Sequence, residues 1–164
     1  MQKIPRAFTL IELLAVVAVI AILASIALPS LQTRIVRGQI VEAMPLAEIA
    51  KAPVAMAWAS THLLPADNAA AGLPPPDKIV ANFVTALVVE GGAIHVTFGN
   101  RANAALQGKT LTLRPAVVED AAVVPVAWVC GHASAVDKMS AKGIDRTTVD
   151  ARFLPLNCLA NAGP

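Results

Sequence analysis

An almost unbroken run of apolar residues, from Phe8 to Leu28, opens the hydrophobic pattern of this chain. As an α-helix these roughly 21 residues would be about 31 Å long, enough to cross a hydrocarbon core about 30 Å thick. The only charged residue within the run is Glu12. Because an ionisable side chain inside a membrane costs about 2.5–3.5 kcal/mol on insertion scales, we expect Glu12 to have a function.

The helical pattern continues beyond this run and ends near Thr61. Its second half carries an apolar stripe about 60° wide, which predicts a face packed on a sheet. The stripe consists of Val36, Ile40, Ala43, Ala47, Val54 and Trp58. Leu31, Ile35 and Val41 add apolar surface on another side, which suits either packing against neighbouring subunits or ordinary scattered exposure.

Three prolines, Pro29, Pro45 and Pro53, interrupt this helical pattern. Each removes a backbone hydrogen bond and crowds the carbonyl four residues earlier, so we expect kinks or local melting. The main helix kink is predicted at Pro29, which directly follows the apolar run. A helix from Phe8 to Thr61 would be about 80 Å long, more than a domain of this size, so its first half is expected to protrude.

Four segments in the second half of the chain have the composition and alternation of β-strands. They are Phe83 to Glu90, Ala93 to Phe98, Lys109 to Arg114 and Val123 to Cys130. Gly91-Gly92 predicts a two-residue hairpin turn, and a second turn is expected near Glu119-Asp120. The predicted fold class is α+β, with a long protruding N-terminal α-helix packed by its C-terminal half on a four-stranded antiparallel sheet.

The segment Phe8-Thr9-Leu10-Ile11-Glu12-Leu13-Leu14, preceded by a short basic stretch, resembles the start of type IV pilins and their prepilin-like relatives. The resemblance implies a leader of residues 1–7, cut between Ala7 and Phe8 by a membrane-embedded prepilin peptidase, and methylation of the new amino group of Phe8. Ala7 stands where the family usually has Gly; it is the nearest residue in size, so cleavage is still expected. Residues 98–111 also look like the strand-to-strand connection of major type IVa pilins.

The charge pattern orients the apolar run in a membrane. Lys3 and Arg6 precede the run and no basic cluster follows it directly, which keeps the amino-terminal end in the cytoplasm. The predicted organisation is a leader at 1–7, a transmembrane and filament-core helix at 8–28, and a pilin head at 29–164. A removed secretory signal has a shorter apolar core, and a plain membrane anchor would leave Glu12 unexplained; both remain as alternatives.

Composition narrows the classes of function. The chain has 164 residues, with 13 basic and 11 acidic side chains. Because Lys3 and Arg6 belong to the predicted leader, the mature chain balances at 11 of each sign, and no polyanion-binding patch is visible. The chain has few aromatic side chains that could stack on nucleic acid bases, with four Phe, two Trp and no Tyr. No specific nucleic acid partner is predicted, and electron conduction is disfavoured.

Cys130 and Cys158 lie in the part of the chain that the orientation argument places outside the cytoplasm. Oxidising surroundings favour a disulfide between them. Closing a loop of about 29 residues stabilises a fold by roughly 3–4 kcal/mol in the chain-entropy model. The resemblance to type IV pilins implies that this disulfide-bounded region is exposed on the filament. Here it carries a mixed-charge surface made of Asp137, Lys138, Lys142, Asp145, Arg146, Asp150 and Arg152.

The candidate catalytic residues are Cys130 and His132, because a thiolate nucleophile needs a nearby imidazole base. The second cysteine offers Cys130 a disulfide partner, and the sequence has no oxyanion-hole motif or Gly-rich phosphate loop. A metal site made of these two residues and Cys158 would lack a fourth ligand. We therefore predict no enzyme, no metal site and no cofactor. His95, within an alternating strand, is expected to face solvent, and His62 to belong to the helix end.

The predicted function is that of a structural subunit of a type IV pilus, polymerising through its N-terminal hydrophobic helix into a surface filament for adhesion or twitching motility. In the predicted mechanism, the Phe8 amine of an incoming subunit pairs with Glu12 of a subunit already in the fibre. This pairing removes the penalty of an unpaired charge and sets the axial register.

The resemblance also implies partners and a location. The partners are further copies of the chain, the prepilin peptidase and N-methyltransferase, and the pilus assembly platform with its ATPases. The chain is expected in the inner membrane before assembly and in the extracellular pilus afterwards. A type II secretion pseudopilin or a minor pilin is the alternative. The cysteine pair and the lack of a clustered acidic loop favour a pilin, and the resemblance of residues 98–111 favours a major subunit.

Overall fold

The structure is a computed structural model that describes residues 8–160, apart from the side chains of residues 27–30. Contacts divide the described residues into two units, one that ends at Ile35 and one that begins at Val36. The described part of the first unit is helical, whereas the second unit contains the sheet and the hydrophobic core.

Helix α1 comprises Leu10–Thr61, which confirms the long helix and its predicted end. It remains helical through Pro45 and Pro53, so the local melting expected there does not occur. Packing of the buried stripe on the sheet compensates for the backbone hydrogen bond lost at each proline. The kink predicted at Pro29 stays a prediction, because the side chains of residues 27–30 are not described.

The end of α1 is formed by His62, as the sequence indicated. Its backbone adopts the left-handed region at φ 57°, and its N–H still donates to the carbonyl of Trp58. A left-handed residue directly after a helix turns the chain away from the helix axis. The chain therefore leaves the helix here and enters the loop that leads to the sheet.

The apolar stripe of α1 is buried at all six predicted positions, and Ala50 joins it. Apart from Trp58, these side chains share one core cluster with residues of all four main strands, among them Leu87, Ile94, Val96 and Leu111. The middle of the stripe consists of alanines, Ala43, Ala47 and Ala50, and their small side chains favour close packing of the helix on the sheet. The predicted packing of the C-terminal half of the helix on the sheet is therefore confirmed.

The sheet is antiparallel, with the order β1-β2-β3-β4. Its main strands are Val84–Glu90 (β1), Ala93–Phe98 (β2), Thr110–Val117 (β3) and Ala127–Cys130 (β4). Gly91 and Gly92 both have positive φ, as the tight turn between the first two strands requires. A fifth strand of two residues, Ser140–Ala141 (β5), pairs with the end of β3 in a region for which no strand was predicted.

Two strand boundaries differ from the predicted ones. The third strand continues past Arg114 to Val117 because Pro115 lies beyond Leu113, the last residue that pairs with β2. The ladder with β2 therefore needs no N–H at Pro115. The fourth strand begins at Ala127 instead of Val123, because Val124 donates its N–H to Ala121 in a turn.

The expected solvent exposure of His95 is wrong. The side chain lies in the middle of β2 and is 4 % exposed. Strand alternation places it on the sheet face opposite α1, where residues 145–147 of the disulfide-bounded region cover it. This segment is held by Thr112, the β3 residue that pairs with His95. Thr112 accepts the N–H of Arg146 through its hydroxyl oxygen and donates its own N–H to the hydroxyl oxygen of Thr147. Both faces of the sheet are therefore covered at His95.

Candidate functional site

The first turn of α1 is closed by Thr9 and Glu12. The Oε2 atom of Glu12 accepts the backbone N–H of Thr9 at 2.9 Å and its hydroxyl at 2.8 Å. The carbonyl of Thr9 accepts the first helical hydrogen bond, from Leu13, and its Oγ1 accepts the N–H of Glu12 at 3.3 Å. Thr9 is thus the N-cap and Glu12 the third helical residue of a reciprocal capping box.

This arrangement gives Glu12 a local structural role and leaves it free for a second one. Both hydrogen bonds end on Oε2, and Oε1 has no donor within residues 8–160. A carboxylate oxygen can accept two hydrogen bonds or one ammonium group. Its position in the first turn also suits the positive end of the helix dipole. Among the described residues, the geometry therefore leaves one carboxylate oxygen of Glu12 without a hydrogen-bond donor.

The surroundings of Glu12 are apolar and exposed. Phe8 is 83 % exposed, and every large apolar side chain from Leu10 to Ile26 that the structure describes is more than half exposed. Helix α1 is long and apolar enough, by length and composition, to cross a membrane. Ala7, the predicted residue before the cleavage, lies outside the described residues.

The predicted disulfide between Cys130 and Cys158 is present. It joins the end of β4 to a short 3-10 helix, Leu156–Cys158, and both cysteines are buried. Next to it, Gly131 has a positive φ, and a Cβ at that position would lie 2.7 Å from the carbonyl oxygen of Cys158. That carbonyl accepts the N–H of His132 at 2.9 Å. The bridge and this hydrogen bond together fasten the carboxyl-terminal region to the sheet.

The disulfide also decides the chemistry of the neighbouring histidine. Cys130 has no thiol to activate, so His132 has no nucleophile beside it. The Nδ1 atom of His132 lies 2.8 Å from Oδ2 of Asp145. Partial burial raises the pKa of Asp145, but hydrogen bonds from Thr147 and His132 outweigh this and hold that pKa below its usual value. The pair joins the end of β4 to the segment that contains Asp145.

Most charged side chains of the disulfide-bounded region are paired within the chain. Lys142 forms an ion pair with Glu119, and that pair lowers the pKa of Glu119. Arg146 reaches Glu90 at 2.6 Å, and Arg152 reaches Asp150 at 3.0 Å. Exposed pairs of this kind contribute little to stability. The surface is therefore of mixed charge, as expected, but much of its charge is locally compensated.

Two residues important for this architecture have no clear sequence signal. Asn68, in the loop between α1 and β1, bonds through its side chain to the edge of β1. Thr112 is fully buried and lies between His95 and Arg146. An asparagine in a proline-rich loop and a threonine in a strand are ordinary, so only the tertiary contacts identify them.

Comparison with known proteins matches nearly the whole chain. The sequence profile described as "Pilin (bacterial filament)" matches residues 36–159, and that described as "Prokaryotic N-terminal methylation motif" matches residues 3–28. The type IV major pilin protein PilE1 of Neisseria gonorrhoeae is 35 % identical, covering 96 % of this chain and 89 % of the relative. The fimbrial protein EcpC of Eikenella corrodens is 33 % identical over 100 % of this chain and 97 % of the relative.

Proposed function

The chain belongs to the pilin family, and from this membership we propose that it is the major subunit of a type IV pilus that serves adhesion or twitching motility. Subunits polymerise through the exposed apolar part of α1. A methylation motif at residues 3–28 supports cleavage between Ala7 and Phe8, followed by methylation of the Phe8 amine. A minor pilin or a type II secretion pseudopilin is the alternative.

The Oε1 atom of Glu12, which has no donor within residues 8–160, is the observation that supports the assembly step. Removal of the leader would create an ammonium group on Phe8, next to Thr9, the N-cap residue of α1. In the proposed step, the Phe8 ammonium group of an incoming subunit binds Oε1 of Glu12 in a subunit already assembled, while Oε2 stays bonded to Thr9. Two opposite charges in an apolar filament interior then neutralise each other and fix the axial position of the new subunit.

Before assembly, the same apolar helix holds the chain in the inner membrane, with Lys3 and Arg6 on the cytoplasmic side. The prepilin peptidase and N-methyltransferase act there. The assembly platform and its cytoplasmic ATPases then transfer the subunit from the membrane to the filament. Residues 36–164, with their disulfide and buried core, form the outer part of the filament.

Substitution of Glu12 can separate its two roles. Glu12→Gln retains an amide oxygen that accepts the bonds from Thr9, since glutamine also completes a capping box, but it has no charge for the Phe8 amine. Glu12→Ala removes both roles. Glu48→Ala, which removes an exposed carboxylate paired with Lys51, is the matched control. The measurement is the amount of subunit in filaments sheared from the source cells, with the membrane fraction measured in parallel.

We expect Glu12→Gln and Glu12→Ala to leave a stable membrane-bound chain and to reduce sheared filaments by more than about tenfold, which corresponds to about 1.4 kcal/mol or more. Glu48→Ala should assemble normally. Normal filament yield from Glu12→Gln would show that Glu12 acts only as a helix cap. The intact mass of wild-type filaments should lack residues 1–7, include one methyl group and gain two protons on reduction.

A further inference from the structure

His95 lies beneath the segment of residues 145–149, which belongs to the disulfide-bounded region. The imidazole is on β2, on the sheet face opposite α1, and is almost fully buried. Segment 145–149 runs along the edge of β3. The two are joined through one residue of β3, Thr112, which pairs with His95 across the strands. The assembly proposal makes no use of this cluster.

The hydroxyl of Thr112 connects the imidazole to the segment. Its oxygen accepts the backbone N–H of Arg146 at 3.0 Å and lies 3.0 Å from Nδ1 of His95. A hydroxyl oxygen can accept two hydrogen bonds, so the bond from Arg146 does not by itself fix the direction of the contact with Nδ1. The carboxylate of Glu90, 3.6 Å from Nε2, favours the proton on Nε2, which makes Nδ1 the acceptor of the Thr112 hydroxyl proton. A neutral imidazole with an acceptor at Nδ1 carries its proton on Nε2. This assignment follows from the hydrogen-bond network.

The charged groups around His95 come from three parts of the chain. Oε2 of Glu90, at the end of β1, is 3.6 Å from Nε2, and the other oxygen of Glu90 is bound by Arg146. Asp145, bound to His132, is the remaining charged neighbour. Burial, and after it the charge of Arg146, lower the pKa of His95, and the two carboxylates oppose this only in part.

Segment 145–149 depends on β3 for its other hydrogen bonds. The backbone N–H of Thr112 donates to Oγ1 of Thr147, and that of Thr110 donates to Oγ1 of Thr148. The N–H of Thr148 donates back to the carbonyl of Thr110 at 2.9 Å, and Val149 is buried. The segment thus closes part of the β3 edge, and the bond from Arg146 to Thr112 is one of five hydrogen bonds between them.

We propose that His95 is an acid-sensitive latch, and that its protonation loosens segment 145–149 from β3. A proton bound at Nδ1 turns that atom into a donor. The Thr112 oxygen then accepts from both Nδ1 and Arg146, which its two lone pairs allow, but its own proton loses Nδ1 as an acceptor. A cation also forms beside Arg146 in a buried place. The surface of the disulfide-bounded region would therefore be ordered at neutral pH and mobile in acid.

The sign of the pH effect follows from the lowered pKa. An unfolded or detached His95 binds a proton more readily than the buried one. The attachment is therefore fully present above the ordinary histidine pKa of about 6.5 and is lost as the pH falls below it. The pKa of Asp145 is held below its usual value, and its carboxylate also belongs to the segment, so a non-titrating variant of His95 is needed to separate the two effects.

The test is amide hydrogen exchange of the full chain in detergent micelles, with the disulfide intact. Exchange of residues 145–149 is compared between about pH 7.5 and about pH 5, after correction for intrinsic rates. His95→Asn places an acceptor oxygen near the position of Nδ1 but does not titrate. His132→Asn is the matched control, since it removes the other histidine that contacts this region through Asp145.

For the wild type, we expect corrected exchange of the segment to accelerate by up to about tenfold for each pH unit between the ordinary histidine pKa of about 6.5 and the lowered pKa of the buried His95, and to level off below that. His95→Asn should abolish this acceleration, and His132→Asn should retain it. An unchanged wild-type segment, or the same acceleration in His95→Asn, would overturn the latch. If His95→Asn does not fold, histidine NMR of the wild type decides: the titration midpoint of His95 must coincide with that of the Arg146 amide.

Discussion

The side-chain oxygen of Asn68 accepts the backbone N–H of Val89 at 2.6 Å. Its amide nitrogen donates to the carbonyl of Leu87 at 3.0 Å and to that of Pro74 at 3.1 Å. One buried side chain thus pairs with two residues of the outer strand β1, as a neighbouring strand would. This contact closes a sheet edge that would otherwise be open to pairing with other chains.

Replacing Asn68 by alanine should therefore destabilise the sheet. The change leaves a buried N–H on Val89 and a buried carbonyl on Leu87 without partners, at about 1–3 kcal/mol each. We expect a total loss of about 2–6 kcal/mol in the free energy of unfolding. The measurement is denaturant unfolding of the full chain in detergent, followed by fluorescence of Trp58 and Trp128.

The control for this prediction is Asn82→Ala, which removes an exposed asparagine from the turn before β1. It should change stability by less than about 0.5 kcal/mol. Asn68→Asp is a second variant, since it retains an acceptor for Val89 but loses the two bonds that the amide donates. A loss below about 1 kcal/mol for Asn68→Ala would mean that water replaces the side chain at this edge.

Gly131→Ala tests the packing of the chain against the disulfide. A left-handed backbone with a Cβ costs about 1–2 kcal/mol. At Gly131 the new Cβ would also meet the carbonyl oxygen of Cys158 at 2.7 Å, and such overpacking costs a further 1–3 kcal/mol or so. Gly108→Ala is the matched control, because Gly108 has a positive φ of 67° but open space around it.

We expect both glycine variants to unfold at lower denaturant concentration than the wild type, with Gly131→Ala clearly the less stable. The hydrogen bond from His132 to Cys158 should also weaken, which amide exchange at His132 would detect. Equal stability of the two variants would show that the carbonyl of Cys158 moves away at little cost.

Thr9→Val tests the capping box independently of the charge on Glu12. Valine has a similar shape but no hydroxyl, so the bond to Glu12 Oε2 and the acceptor for the Glu12 N–H are both lost. We expect the first turn of α1 to fray, with faster amide exchange at Glu12, because an N-cap contributes about 0.5–2 kcal/mol. Thr9→Ser keeps the hydroxyl and should exchange like the wild type. Equal exchange in Thr9→Val and Thr9→Ser would show that the backbone bond alone holds this turn.

The helix and the core were predictable because each depends on local periodicity. The spacing of Val36, Ile40 and Trp58 indicates one face of a helix, whatever packs on it. Alternation after Phe83 likewise indicates strands, and Gly91-Gly92 indicates the turn between them. The start of β4 was misplaced because apolar composition at Val123 is equally compatible with a loop, and only the turn at Val124 distinguishes the two.

The sequence by itself determined which residues enter a membrane-length helix, that Glu12 is an exception within it, and that Cys130 and Cys158 can pair, because these depend on composition and short-range spacing. The capping box was also readable in principle, since Thr9 and Glu12 are three residues apart. Only the tertiary structure decided that His95 is buried, because strand alternation says which face a residue occupies and not what covers that face. The roles of Asn68 and Thr112 depend on contacts between segments distant in the chain, which no local pattern specifies.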